Sequence, residues 1–200
     1  MIIGLYSSAP RSGKTTFANT LCAIIPKHTY TISFADILRE LVVSVTAPFL
    51  DGGEDEAWEW LDDERKDNGI IPDLGVTFRH MLQTLGTEWG RRLIHPDIWV
   101  MLVQKRIDFI EHYDDKAIII IDALRFPNEH KMLMERGATL IKLVNTNLTN
   151  REDLKNHVSN GAIDAFEFHQ VITESTAQGV VEAAETFAVS EGLLAHWPPK

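Results

Sequence analysis

The residues with the clearest chemical potential lie near the start of the chain. In "LYSSAPRSGKTTFANTL" (5–21), Gly13-Lys14-Thr15 completes the pattern G-x-x-x-x-G-K-[ST], with Ser8 in place of the first glycine. The chemistry of that pattern is a phosphate cradle. Consecutive backbone N–H groups curl around phosphate oxygens, and the following helix turns its positive end toward the anion. The lysine reaches the outer phosphates, and the Ser/Thr hydroxyl can hold Mg²⁺. Ala9, Pro10, Arg11, Ser12, Gly13, Lys14, Thr15 and Thr16 are therefore the candidate ATP-binding residues, with Lys14 the candidate catalytic cation and Thr15 the candidate metal ligand. Serine is small enough for position 8 if its backbone is not left-handed. A G-K-[ST] triplet alone arises by chance in roughly one chain of this length in ten. Here it sits between an apolar run and a helical pattern, which is where the cradle must be.

A phosphoryl group also needs an acceptor, and a phosphorylated acceptor needs guanidinium forks to hold it. "TFRHMLQTLGTEWGRRLIHPDIWV" (77–100) supplies Arg79, Arg91 and Arg92 with Gln83, Thr87 and Trp99. Arg79 and Gln83 are four apart and share a helix face. The plainer alternative is an amphipathic helix pair packed on Met81, Leu82 and Leu85, with solvated arginines and Trp99 in the core. The polar stretch 145–160 carries Arg151 and Lys155, also four apart, and would suit a lid that brings a cation to the transferring group; an exposed loop is the alternative. The eight histidines show no zinc-site spacing.

Strands and helices alternate around these residues. Strands are predicted over Ile2–Ser7, Thr29–Ser33, Ala117–Ile121, Thr139–Val144 and Gln170–Thr173. Helices are predicted from Gly13 to about Ile25 and over Phe34–Val45, Thr77–Leu85, Pro96–His112, Glu129–Arg136 and Ala177–Val189. That order implies an α/β three-layer fold of the P-loop NTPase type, with a mainly parallel five-stranded sheet. The length suits one domain, 1–200, with two excursions: an acidic, glycine-containing insertion at about 47–76 and the lid at about 145–165. A short helix is expected near Trp58–Leu61, and Arg65 or Lys66 could turn inward to cover an acceptor. The closing amphipathic helix could support a homodimer, although a core helix reads the same way.

The composition is that of a globular protein, 44% hydrophobic and 24% charged. A net charge of −10 disfavours a nucleic-acid polymer as partner but not a small nucleotide in a local basic pocket. No apolar run is long enough for a membrane span. The single cysteine, Cys22, excludes an internal disulfide framework, and the N-terminus lacks a signal-peptide pattern, so a cytoplasmic location is expected.

"RSGKTT", "SFADILRE", "FRHMLQTLGTEWGRRLIHPDIWV" and "IIIIDALRFPNEHKMLMERGATLIKLV" occur here in the order seen in the bacteriophage deoxynucleoside monophosphate kinases, and "HVSN" and "FEFHQVIT" are similar to that family's closing segment. The resemblance covers most of the chain and thins over 47–72 and after 175. It implies a nucleoside-monophosphate-kinase-like fold, transfer of the ATP γ-phosphoryl group to a dNMP with Mg²⁺, and a host-cell cytoplasmic setting. It further implies acceptor contacts from Arg79 and Gln83, with Trp99 against the base, and a catalytic site near Arg125 of R-F-P-N-E. Asp36, Arg39 and Arg91 join the substrate-binding candidates, and Arg125 and Arg151 the catalytic ones.

The chain departs from the family pattern in three places. Asp122-Ala-Leu-Arg125 has one residue more than D-x-R, Arg39 stands where lysine is common, and Asn160 follows His157-Val-Ser where glutamate is usual. Asp122 reads equally as a partner of Mg²⁺ through water and as a residue that ends a strand. Asp36 reads equally as a sugar or base contact and as a helix cap.

The expected reaction is in-line transfer without a general base, because an acceptor phosphate is already anionic at neutral pH. A dephospho-coenzyme A or adenylate-type kinase is the first alternative. A non-catalytic nucleotide-binding module is the second, and the acceptor-type arginines weigh against it.

Overall fold

A computed structural model describes residues 1–9, 12–25, 28–147 and 162–194. In chain order the elements are β1 (Ile2–Tyr6), α1 (Lys14–Ile24), β2 (Thr29–Ser33), α2 (Asp36–Thr46), α3 (Gly53–Asp62), α4 (Arg65–Asn68), α5 (Phe78–Gln83), a π-helix (Thr84–Ile94), α6 (Ile98–Tyr113), β3 (Ile118–Leu124), α7 (Pro127–Glu135), β4 (Thr139–Asn145), β5 (Gln170–Glu174) and α8 (Ala177–Ser190). They fall into two compact units, Met1–Ser33 with Val103–Lys200, and Phe34–Leu102.

The first unit holds the sheet. Its order is β2-β3-β1-β4-β5, and every pairing is parallel. β1 is therefore central, and all five of its residues are buried, as a strand covered on both faces requires. Phe17, Ala18 and Leu21 of α1 pack with Val180, Ala184 and Phe187 of α8 in one core with Ile3, Leu5, Ile141 and Leu143. The apolar face of α8 thus packs inside its own unit. The fold is α/β and P-loop kinase-like, as the alternation of elements predicts.

The second unit is helical, with a core of Val42, Val43, Ala57, Leu61, Ile71 and Phe78. The stretch read as an insertion supplies three of these residues. α3 runs for ten residues rather than one turn around Trp58, because Ala57 and Leu61 fall on one buried face. Glu54, Asp55 and Glu56 occupy its first turn, where the helix's positive end favours them. The acids of 51–75 therefore dress helices of a larger unit.

The π-helix was not anticipated either. His95 donates its backbone N–H to the Gly90 carbonyl five residues back, at 3.0 Å. Such wide turns are rare and frequently lie at functional sites. Among the described residues no helix is long and apolar enough to cross a membrane.

Candidate active site

The cradle forms at the end of the central strand. β1 stops at Tyr6, and the Ser7 hydroxyl accepts the backbone N–H of Ala9 at 3.2 Å, which starts the turn. Ser8 does not have a positive φ, so the missing first glycine costs no backbone strain. Gly13 does need to be glycine: its φ is 94°, and a Cβ there would lie 2.8 Å from Val180 Cγ2. It caps α1, leaving the helix's N-terminal N–H groups for an anion. Lys14 Nζ donates to Ser12 Oγ at 3.3 Å. Burial pulls the Lys14 ammonium down to about 8; repulsion from Arg125 acts the same way, and Asp122 partly offsets both. A bound triphosphate would reverse the shift by supplying negative charge.

Asp122 and Arg125 therefore both lie within electrostatic reach of Lys14, although a regular strand would turn residues three apart to opposite faces. A β-bulge resolves this. Gly4 pairs with Ile121 and Tyr6 with Leu124, so β3 carries one extra residue against β1. Ala123 absorbs it at φ 61°, in the left-handed region. The extra residue that separates this chain from D-x-R is thus taken up locally.

Beyond the bulge, the residues of R-F-P-N-E start α7. Pro127 takes the first turn, where its missing N–H costs nothing. Glu129, 2% exposed, turns back to accept the backbone N–H groups of Arg125 and Phe126 at 2.8 and 3.0 Å. The exposed Arg125 side chain thus springs from a fixed backbone. Glu129 was missed in the sequence: it holds the glutamate position of a capping box, three residues after the cap, but the cap residue is Phe126 and not the Ser or Thr that usually signals one.

The cradle opens on a cavity of about 310 Å³, lined by Ser12–Thr16 together with Asn145, Ser175, Thr176, Ala177 and Val180. Part of its wall is built where β4 and β5 end. The Thr176 hydroxyl caps α8 through the Gly179 N–H, and Asn147 Nδ2 donates to the Ser175 carbonyl at 3.0 Å. This wall was also missed, since Asn, Ser and Thr after a strand read as ordinary turn residues.

In the helical unit the acceptor candidates separate. Arg39 of α2 lies 5.6 Å from the Trp58 ring centre and pairs with Asp62 at 2.5 Å. Arg79 of α5 pairs with Asp67 of α4 at 2.6 Å. Lys66 lies between these acids in sequence; burial, then the charges of Arg79 and Arg39, lower its pKa, and Asp67 and Asp62 act against them. Arg65 instead pairs with Asp63 and Glu59 and covers the Trp60 ring. Gln83 ends α5, exposed, one turn beyond Arg79. Asp36 lies in the first turn of α2, but the cap position itself is Ala35.

Two of the acceptor candidates are engaged structurally. Trp99 is 4% exposed, and its indole N–H donates to the Gly86 carbonyl at 2.8 Å. A Cβ on Gly90 would lie 2.6 Å from its ring, so the tryptophan packs on the glycine face of the π-helix. It is a core residue here and presents no open face to a base, which corrects the stacking role expected of it. Arg91 donates to the Pro96 carbonyl at 3.3 Å, bracing the turn into α6, while Arg92 pairs with Glu88. Pro10 and Arg11 of the cradle and most of the expected lid, with Arg151 and Lys155, lie outside the described residues.

Thr15 and Asp122 offer hard oxygen donors beside the cradle, which suit Mg²⁺. Among the described residues no three His, Cys, Asp or Glu side chains gather to hold a metal by themselves. A magnesium ion here would therefore depend on phosphate oxygens for much of its coordination.

The profile of the deoxynucleotide monophosphate kinase family matches residues 63–178. The chain is also 39% identical over 72 residues to the deoxynucleoside-5'-monophosphate kinase of Escherichia phage T5, a match over 36% of this chain and 27% of the relative. The matched stretch thus spans about a quarter of that relative's length.

Proposed function

This chain belongs to the deoxynucleotide monophosphate kinase family, and on that premise we propose that it transfers the γ-phosphoryl group of ATP to a deoxynucleoside monophosphate. The observation that carries the reading is Lys14, held over the cradle on Ser12 with Asp122 and Arg125 acting on it. Two charged partners around the cradle lysine suit a site where phosphate charge moves, rather than one that only holds a nucleotide.

In this mechanism the Gly13–Thr16 backbone and Lys14 bind the β- and γ-phosphates, and the 310 Å³ cavity toward Asn145 and Thr176 receives the donor's nucleoside. Thr15 and Asp122 would hold Mg²⁺, which would supply neutralisation of phosphate charge. An oxygen of the acceptor monophosphate attacks the γ-phosphorus as the bond to the β-bridging oxygen breaks, giving a dNDP and ADP. No base is required, because the attacking oxygen carries no proton at neutral pH. Arg125 stabilises the equatorial charge, and Arg39 and Arg79 hold the acceptor phosphate.

The test is turnover of ATP with each common dNMP and NMP, beside a Lys14→Ala control. Diphosphate formed from dNMPs and lost in the variant supports the reading. ATP binding without a diphosphate from any monophosphate overturns it.

A further inference from the structure

Lys66 stands out in the helical unit because its surroundings give it every reason to be paired, and it is not. It is half-buried on α4, and among the described residues its ammonium makes no hydrogen bond or ion pair. The two acids that could neutralise it are already committed: Asp62 to Arg39 and Asp67 to Arg79. Burial, with the charges of Arg79 and Arg39, holds the Lys66 pKa below the usual lysine range, and Asp67 and Asp62 offset this only in part. Asp67, paired with Arg79, directly follows Lys66, and Asp62, paired with Arg39, lies four residues before it, so three cations from α2, α4 and α5 share two carboxylates, both of them exposed. A half-buried like-charge cluster is unfavourable by itself. It becomes favourable when an anion carrying more than one charge enters.

We infer that Lys66 is a ligand of the acceptor's phosphate group, completing with Arg39 and Arg79 a three-cation site for a phosphate monoester dianion. The inference rests on the proposed kinase reading for the identity of that dianion. The geometry divides the work between the three. Arg39, beside Trp58 and paired with Asp62, and Arg79, paired with Asp67, carry guanidinium forks whose planar geometry suits bidentate recognition of phosphate oxygens. Lys66 is a point charge on a flexible stem with no competing partner, so its pairing with the ligand displaces no protein contact.

The experiment measures affinity for each of the four common dNMPs, and for the corresponding unphosphorylated deoxynucleosides, by calorimetry. It uses wild type, Lys66→Met, Lys66→Arg and Arg79→Met, with KM for ATP measured alongside. Lys66→Met is expected to weaken dNMP binding by roughly 10- to 100-fold, the loss of one charged hydrogen bond. It should leave deoxynucleoside binding and the KM for ATP within about twofold, and should not lower the melting temperature of the ligand-free protein. Lys66→Arg should recover most of the affinity. Unchanged dNMP affinity in Lys66→Met, with Arg79→Met weakened, overturns the role of Lys66 while leaving the kinase reading intact. Wild type that binds dNMPs in a Lys66-dependent way but forms no diphosphate sinks the kinase reading and keeps the site. Wild type that binds no monophosphate removes both.

Discussion

Glu129 Oε2 accepts the backbone N–H of Arg125 at 2.8 Å and that of Phe126 at 3.0 Å, from a carboxylate that is almost wholly buried. One oxygen thus joins the end of the bulged strand to the first turn of α7. Glu129→Ala leaves two N–H groups without that acceptor, at a cost of about 1–3 kcal/mol, which the urea midpoint would report. It also loosens the backbone that carries Arg125. Turnover should fall at least tenfold under conditions where the variant is fully folded, and Glu129→Gln should keep more of both. A folded Glu129→Ala protein with wild-type turnover would separate the cap from the chemistry.

Ala123 holds its left-handed φ of 61° to absorb the extra residue in β3. A side chain in that region costs about 1 kcal/mol relative to glycine. Ala123→Gly should therefore stabilise the protein by up to about 1 kcal/mol, less the extra chain entropy of glycine when unfolded. Ala123→Val, branched at Cβ, should destabilise it by more than that. Equal melting temperatures for all three proteins would mean that the bulge does not impose this conformation.

The sheet was legible because short apolar runs such as Ile118–Ile121, bounded by turn residues, have few other uses. The cradle was legible because its chemistry fixes both residue type and spacing. What escaped depended on contacts distant in sequence. The bulge is defined only against β1, and a one-residue excess after Asp122 gives no sign of which residue will bend. The stretch 47–76 of the helical unit read as an insertion because composition outweighed pattern: the acids of 51–75 obscured the core positions Ala57, Leu61 and Ile71. Arg39, Lys66 and Arg79 come from three helices, so no spacing rule could have joined them.

Trp99 and Gly90 test whether the π-helix serves packing or the base. The ring fills the space that a Cβ at Gly90 would enter, 2.6 Å away. Gly90→Ala should cost about 1–3 kcal/mol by overpacking, and Trp99→Ala about 3–5 kcal/mol by leaving a cavity. Neither should reorder the preference among bases in whatever fraction stays folded. A Trp99→Phe protein of near-normal stability with altered base preference would restore the stacking role.

Lys14 makes opposite predictions for stability and for activity. Its pKa is about 8 in the folded, ligand-free protein against 10.5 for a free lysine. Between those values the unfolded chain binds the extra proton, so stability should rise with pH from about 8 to 10.5, and below pH 8 the full penalty applies. Each pKa unit corresponds to about 1.4 kcal/mol, which bounds that penalty at about 3–4 kcal/mol. Lys14→Met should therefore melt higher than wild type at pH 7 while losing activity. In catalysis the sign reverses, because only the ammonium attracts triphosphate. A plot of kcat/KM for ATP against pH should fall above about pH 8, the free-enzyme value. The limb in kcat should lie higher, since bound phosphate holds the proton on. A kcat/KM that stays flat to pH 10 would remove Lys14 as the group whose charge the donor needs.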